Sequence, residues 1–289
     1  MTIAVVGATG NTGRAVVKEL KALGQDPIAV VRNPDKAREV LGADVKTAVA
    51  DLGDKVALEK ALRGMESVFL TTGVNPQLAE QNNNVLDAAL QAGIKYLVRL
   101  SAGRAVVGAD SQAPAGRAHY AIDERLRGSK LGWVILRPGL FMQNVLGQAA
   151  AIKNDSKIVM PYAKDFRLAL IDVRDTGAIA ARILADPAPH AGREYSFTGT
   201  MTTYGDFADV FSQVLGRKIT YVGVTPEQVA ETMKSRGMPD WLVAHALAIG
   251  RIGNAGGFSI ENTAPIRDIV GRAPITAKQF VEDHKAAFS

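Results

Sequence analysis

One short stretch near the start of the chain narrows the fold more than any other. A β-branched run, Ile3-Ala4-Val5-Val6, leads directly into Gly7-Ala8-Thr9-Gly10-Asn11-Thr12-Gly13, and a helical pattern begins behind it. A strand that turns through spaced glycines into a helix suits an anionic ligand. Gly7 permits the tight turn, Gly10 lets backbone approach a pyrophosphate, and Gly13 allows close helix–strand packing, while the helix N-terminus presents unpaired N–H groups. Thr9, Asn11 and Thr12 lie within the same loop. The spacing G-x-x-G-x-x-G is one residue wider than the usual dinucleotide fingerprint, so the strand–turn–helix context carries the assignment. Arg14 after Gly13 excludes a P-loop, which needs Gly-Lys-Ser/Thr there. The competing reading is a glycine-rich turn that binds nothing.

The rest of the first half repeats the rhythm. Strand-like runs at 28–32, 45–50, 68–72, 96–100 and 133–136 alternate with helical patterns, which predicts a parallel sheet. In the first helix Val16, Val17, Leu20 and Leu23 share one face, Arg14, Lys18 and Lys21 the other, and Gly24 stops it. Helices over 34–41, 54–62 and 76–92 follow, with Gly42, Gly64 and Gly93 just past their ends. Near-continuous apolar strands with helical crossovers give an α/β doubly wound parallel sheet of the Rossmann kind. After Arg137 the rhythm breaks into a helix at 172–184, a strand at 194–198 and a helix at 203–215, where Thr203 and Asp206 suit a capping box. Helical patterns dominate from Thr225, interrupted by the glycine-rich stretch 250–257. The expected division is a nucleotide-binding domain over 1–150, its sheet completed by later strands near 168–173 and 194–198, and a smaller, mostly helical C-terminal lobe over 151–289.

The second strand ends at Arg32, where an NAD-specific protein places an acid on the ribose 2′-hydroxyl. A guanidinium there clamps a 2′-phosphate in two parallel charge-assisted bonds, with Asn33 or Lys36 in reach to help, so the expected cofactor is NADP(H). A solvated arginine at a strand end is the bland alternative. By position, Asp51-Leu52 at the third strand's end meets the adenine, and Thr71-Thr72-Gly73 after the fourth approaches the ribose and pyrophosphate.

These residues carry a resemblance. Gly7-Ala8-Thr9-Gly10-Asn11-Thr12-Gly13-Arg14, Val30-Val31-Arg32-Asn33, Leu100-Ser101-Ala102, the run from Ile135 through Arg137-Pro138-Gly139-Leu140-Phe141-Met142-Gln143-Asn144, and Gly271-Arg272-Ala273-Pro274 before a final helix resemble the NmrA-like atypical short-chain dehydrogenase/reductase family over essentially the whole chain. Within it the pattern is closest to triphenylmethane reductases and NADPH quinone oxidoreductases. The resemblance implies NADPH in a Rossmann domain, with Ser101 at the nicotinamide end, Pro138, Gly139 and Phe141 beside the cofactor, and a small lobe closing a substrate cleft.

One departure concerns catalysis. Typical short-chain dehydrogenases carry Tyr-x-x-x-Lys, whose lysine lowers the tyrosine pKa, whereas Tyr120 is followed by Glu124, and a carboxylate there does not favour a phenolate. Next to Tyr120, His119 falls where isoflavone reductase-like relatives place a functional lysine. His119 and Tyr120 are therefore the catalytic candidates, His119 expected in the first turn of its helix with an ordinary pKa of about 6.5 as proton donor. Its alternative is a helix-start histidine bonded to backbone or solvent. Phe141, Met142, Met238, Trp241 and Phe258 are candidates to line an apolar cleft, against a plain core role.

Composition excludes several other chemistries. With no cysteine, thiolate metal sites, disulfides and cysteine nucleophiles are absent. His190, His245 and His284 are scattered and make no metal-binding pair, so no metal is expected, and surface or packing roles suffice for them. Leu100-Ser101-Ala102-Gly103 lacks the first glycine of a hydrolase elbow. The 34 basic and 29 acidic residues are interspersed, arguing against nucleic acid as a partner. The opening segment does not read as a signal peptide, and no apolar run reaches the roughly 18 residues of a membrane helix. The expectation is a cytoplasmic monomer or homodimer that moves hydride from NADPH to a conjugated, largely apolar small molecule: a quinone, a carbonyl compound or a triphenylmethane-type dye. The rival expectation is a non-catalytic NADP(H)-sensing regulator acting through a protein partner, which the missing Tyr-x-x-x-Lys pair keeps open.

Overall fold

A computed structural model describes residues 1–289. The first half runs β1 (Ile3–Val6), α1 (Asn11–Ala22), β2 (Ile28–Val31), α2 (Pro34–Leu41), β3 (Lys46–Val49), α3 (Lys55–Leu62), β4 (Ser67–Leu70), α4 (Leu78–Gln91), β5 (Tyr96–Leu100), α5 (Pro114–Arg127) and β6 (Gly132–Pro138). The second half adds β7 (Leu140–Phe141), a short 3₁₀ segment (Met142–Gln148), α6 (Ala149–Asp155), β8 (Lys157–Met160), β9 (Arg167–Ile171), α7 (Val173–Ala185), β10 (Arg193–Phe197) and β11 (Met201–Thr203). It closes with α8 (Tyr204–Leu215), β12 (Thr220–Gly223), α9 (Pro226–Ser235), α10 (Asp240–Ile252), α11 (Ala277–Asp283) and α12 (Lys285–Phe288).

Seven strands form one parallel sheet in the order β10-β6-β5-β4-β1-β2-β3. The strand order reverses between β1 and β4, and the loops leaving those two strands diverge there to open a crevice at their C-terminal ends. Each face of the sheet has its own core. Val16, Leu20, Ile179 and Ile183 pack α1 and α7 on one side, and Leu58, Leu62, Leu86 and Ile122 pack α3, α4 and α5 on the other. A third, aromatic core holds the remaining segments together, with Tyr204 stacked between Tyr162 and Tyr221 and Phe207, Phe211, Phe280 and Phe288 packed behind.

The two late strands behave differently. Residues 193–197 add β10 to the outer edge of β6. Residues 167–171 do not complete the large sheet: β9 pairs instead with β7 and β11 in a separate three-stranded sheet. Within the large sheet β6 has β5 on one edge and β10 on the other. The glycine-rich stretch also has a structural task. After α10 the chain forms a wide helical turn over Gly253–Gly257, and Phe258 then docks on β9 through the Ala169 N–H to Phe258 carbonyl bond of 2.8 Å.

Candidate active site

The crevice above β1 and β4 holds a cleft of about 560 Å³, lined by Gly7, Thr9, Gly10, Asn11, Thr12 and Gly13, by Arg32 after β2, by Asp51 and Leu52 after β3, and by Thr71, Thr72 and Gly73 after β4. Two of the three glycines are required by the protein itself. Gly7 adopts φ +79°, and a β-carbon on Gly13 would collide with the Gly7 carbonyl. Gly10 differs: its β-carbon would meet only the Gly7 oxygen, at 3.4 Å, and otherwise project into the cleft. Space for a ligand against bare backbone is what a pyrophosphate at a helix N-terminus needs, so these residues fit a dinucleotide. Arg32 extends into solvent at the far end of the cleft, 3.8 Å from Asp51. Asn33 is occupied locally, its Oδ1 capping α2.

At its other end the cleft continues into a second cavity of about 290 Å³, and Thr71, Thr72, Leu100 and Phe141 line both. The walls of this cavity come from distant parts of the chain: Ser101, Ala102 and Gly103 after β5, His119 on α5, Pro138 at the end of β6 and Gly139 after it, His245 and Ile249 on α10, and Phe258.

Behind His119 lies a cluster of buried charges. Arg99 in the middle of β5 and Asp123 on α5 are both fully enclosed and ion-paired. Asp123 also takes Arg137 at 2.9 Å and the Ser101 hydroxyl at 2.7 Å, and Arg137 reaches Glu194 of β10 at 2.9 Å. Arg99 further donates to Asn82, which donates to Thr72 at the cleft junction. Burial lowers the Arg99 pKa to about 10, with Asp123 opposing the fall, so the guanidinium stays charged at neutral pH. Its Nη2 lies 2.8 Å from His119 Nδ1, and a guanidinium only donates. His119 Nδ1 therefore accepts, and the ring proton sits on Nε2. Burial first, then the positive charge of Arg99 and Arg137, holds the His119 pKa well below its ordinary value. The ring is a neutral, orientationally fixed Nε2–H donor.

Residues 1–267 match the NmrA-like family. An NAD(P)H azoreductase of Xenophilus azovorans is 33% identical over 290 residues, covering 99% of each chain. The chain belongs to the NmrA-like family. The Escherichia coli NADPH-dependent quinone oxidoreductase complexed with NADPH superposes with a TM-score of 0.84 at 29% identity, covering 98% of this chain and 99% of that one. The Citrobacter sp. triphenylmethane reductase complexed with NADP(H) shares the fold, with a TM-score of 0.83 at 23% identity, covering 98% of this chain and 99% of that one. This NmrA-like protein is an NAD(P)H-dependent oxidoreductase of the atypical short-chain class, and NADP(H) is its cofactor.

Within this family framework several sequence-based assignments need correction. His119 is in the second turn of α5, not the first, and it is not a histidine of ordinary pKa, because Arg99 and burial keep it neutral. Tyr120 lies outside the cavity: one residue further round the helix, it faces solvent. Met142 is buried in the aromatic-lobe core, whereas Leu140 and Phe141 before it line the cavity. Met238 is exposed in the turn before α10 and Trp241 lies in the first turn of that helix, whereas the cavity reaches α10 only at His245 and Ile249. The expected places of Pro138, Gly139 and Ser101 need no such change: they line the second cavity, which adjoins the nucleotide cleft, and the Ser101 hydroxyl is held by Asp123. Sequence reasoning missed Arg99, Asp123 and His245. A signal for the first two existed: an arginine inside the apolar run Leu97-Val98-Arg99-Leu100, and His119 and Asp123 four residues apart on one helix face.

Proposed function

We propose that the protein reduces a conjugated, largely apolar acceptor, a quinone in preference to a carbonyl compound or a triphenylmethane-type dye, by hydride transfer from NADPH. The observation that carries this reading is the small apolar cavity joined to the end of the cleft away from Arg32, with a fixed Nε2–H donor in its wall. A volume of about 290 Å³ is at the lower edge of small-molecule pockets and suits one or two fused rings better than three splayed ones.

Bound in the cleft, NADPH supplies the hydride. Gly10 and the N-terminus of α1 receive the pyrophosphate, and Arg32 pairs with the 2′-phosphate. Phe141 and Leu100 line both the cleft and the cavity, where they would flank the nicotinamide and shield it from water. His119 polarises the acceptor oxygen and stabilises the negative charge that develops there, as a hydrogen-bond donor already in place before reaction. It does not hand over its own proton, since that would leave an imidazolate; the balancing proton comes from solvent. A cationic dye needs no such donor, because hydride addition to a carbocation already gives a neutral product. No helix is long and apolar enough to cross a membrane, and a cysteine-free chain suits the cytoplasm.

The test is NADPH consumption with quinones, enones, azo compounds and triphenylmethane dyes. Turnover fastest with quinones supports the reading. Tight NADP(H) binding without turnover of any acceptor overturns it in favour of a nucleotide-sensing regulator.

A further inference from the structure

The acceptor cavity contains two histidines, and only one is anchored. His119 is held by Arg99 through Nδ1, so it offers a permanent donor. His245, contributed to the same cavity by α10, buries its Nδ1 with no partner in the protein. A buried nitrogen without a partner is unfavourable, and an apolar residue would avoid that penalty at this position. The other polar side chains around the cavity are engaged or stand at its margins. Ser101 is held by Asp123, Thr72 by Asn82, Thr71 lies at the cofactor junction, and Asn144 is exposed.

We propose that His245 is a specificity-determining residue that hydrogen-bonds the second oxygen of an acceptor whose first oxygen is held by His119, so that the enzyme prefers 1,4-quinones to acceptors with a single carbonyl. This rests on the hydride-transfer reading above and names the substrate shape within it. The asymmetry between the rings has a chemical use. An oxidised quinone presents two oxygens that only accept. Reduction by one hydride from NADPH and one proton from solvent converts both to hydroxyls. With no protein bond to fix its tautomer, His245 donates from the partnerless Nδ1–H to a carbonyl and, after tautomer exchange, accepts from a hydroxyl through the same atom. His119 is barred from this exchange because the Arg99 guanidinium permits only one tautomer. The two rings stand on different parts of the fold, α5 and α10, so an acceptor bridging them is held by both walls of the cavity and is measured for length.

His245→Phe and His245→Gln test the assignment, with kcat and KM measured for 1,4-naphthoquinone and for 2-cyclohexen-1-one at saturating NADPH. The phenylalanine variant is expected to raise the quinone KM about tenfold or more beyond any change in the enone KM, and glutamine, which keeps a donor and an acceptor, to restore most of the quinone KM. An equal loss on both acceptors, or an unchanged quinone KM, overturns the proposal. A second measurement requires neither turnover nor a substituted chain. Imidazole ¹⁵N NMR of the NADP⁺ complex, titrated with 1,4-naphthoquinone, is expected to shift the His245 tautomer equilibrium while His119 stays Nε2-protonated. An unmoved His245 signal overturns the proposal. The NMR result also separates two failures: a wild type that shifts His245 but oxidises no NADPH defeats the hydride-transfer reading alone.

Discussion

Arg32 and Arg99 each pair with an aspartate, yet the two pairs belong to opposite kinds of site. The Arg32–Asp51 pair spans 3.8 Å with both side chains largely in water, at 79% and 56% exposure. Such a pair adds little stability, and the arginine remains available to a phosphate. The Arg99–Asp123 pair has both side chains at 0% exposure and is tied into hydrogen bonds from β5, α5, β6 and β10. It is not free to bind anything, and it sets the state of His119. The cofactor cleft is thus built from backbone and exposed charge at consecutive strand ends. The acceptor cavity is built from buried side chains that constrain one another, so damage in the first should reach the ligand and damage in the second should reach the fold.

The largest effect expected from breaking this contrast is at Gly10. Gly10→Val should take nucleotide binding below detection by cofactor titration, while circular dichroism and the thermal transition stay near wild type, since its β-carbon faces open cleft. Loss of the fold would show that the loop is structural after all. Removing the buried arginine should do the reverse. Arg99→Met is expected to cost about 3–5 kcal/mol in urea unfolding, the usual penalty for removing one partner of a buried ion pair, whereas Arg32→Met should leave the urea midpoint unchanged. Comparable small losses for both would erase the distinction.

His119→Phe should lower kcat for a quinone by about 10², the scale for removing one preorganised donor, with NADPH affinity and cationic-dye turnover little altered. Turnover within threefold of wild type on a quinone would remove His119 from the mechanism. Arg32→Glu should shift the ratio of NADP(H) to NAD(H) affinity by roughly ten- to a hundredfold towards NAD(H), as expected for loss of a charge-assisted phosphate contact.

The smallest expected effect is a pH profile. A histidine required in its protonated form would make the rate fall as pH rises above about 6.5. The His119 pKa is depressed, so the ring is neutral throughout this range, and kcat/KM for a quinone should stay nearly flat from pH 6.5 to about 8. Stability carries the matching sign. Below about 6.5 the unfolded chain gains a proton that folded His119 refuses, so His119 makes the protein lose stability as pH falls through that value. His119→Phe should remove part of that slope. A rate that declines above pH 6.5 in wild type and not in the variant would restore the proton-donor role.

Some of this was legible in the sequence because it is local. The β1–Gly7–Gly10–Gly13–α1 turn, the alternation that makes the sheet and Arg32 at the end of β2 depend on residues within one βαβ unit, where backbone geometry, helix periodicity and strand direction follow from neighbours along the chain. Phe258 was likewise a candidate by type. The acceptor cavity was not legible in this way. His119 was nameable, but its protonation depends on Arg99, twenty positions earlier, reaching across from β5 to α5. His245 looked scattered because nothing near it in sequence marks it, and only the packing of α10 over the cavity makes it a wall. Strand β9 pairs with β7 and β11 instead of the main sheet, where β10, from further along the chain, takes the β6 edge.

The sequence by itself determined the βα repeat of the first half, the glycine loop after β1 and the place of Arg32 at the end of β2, since each is set by short-range backbone geometry. Tertiary structure decided which histidine is fixed, which is free, and that Tyr120, Met142, Met238 and Trp241 stay out of the site. The physical reason is that burial and long-range pairing, unlike a glycine turn, exist only once distant segments share the same space.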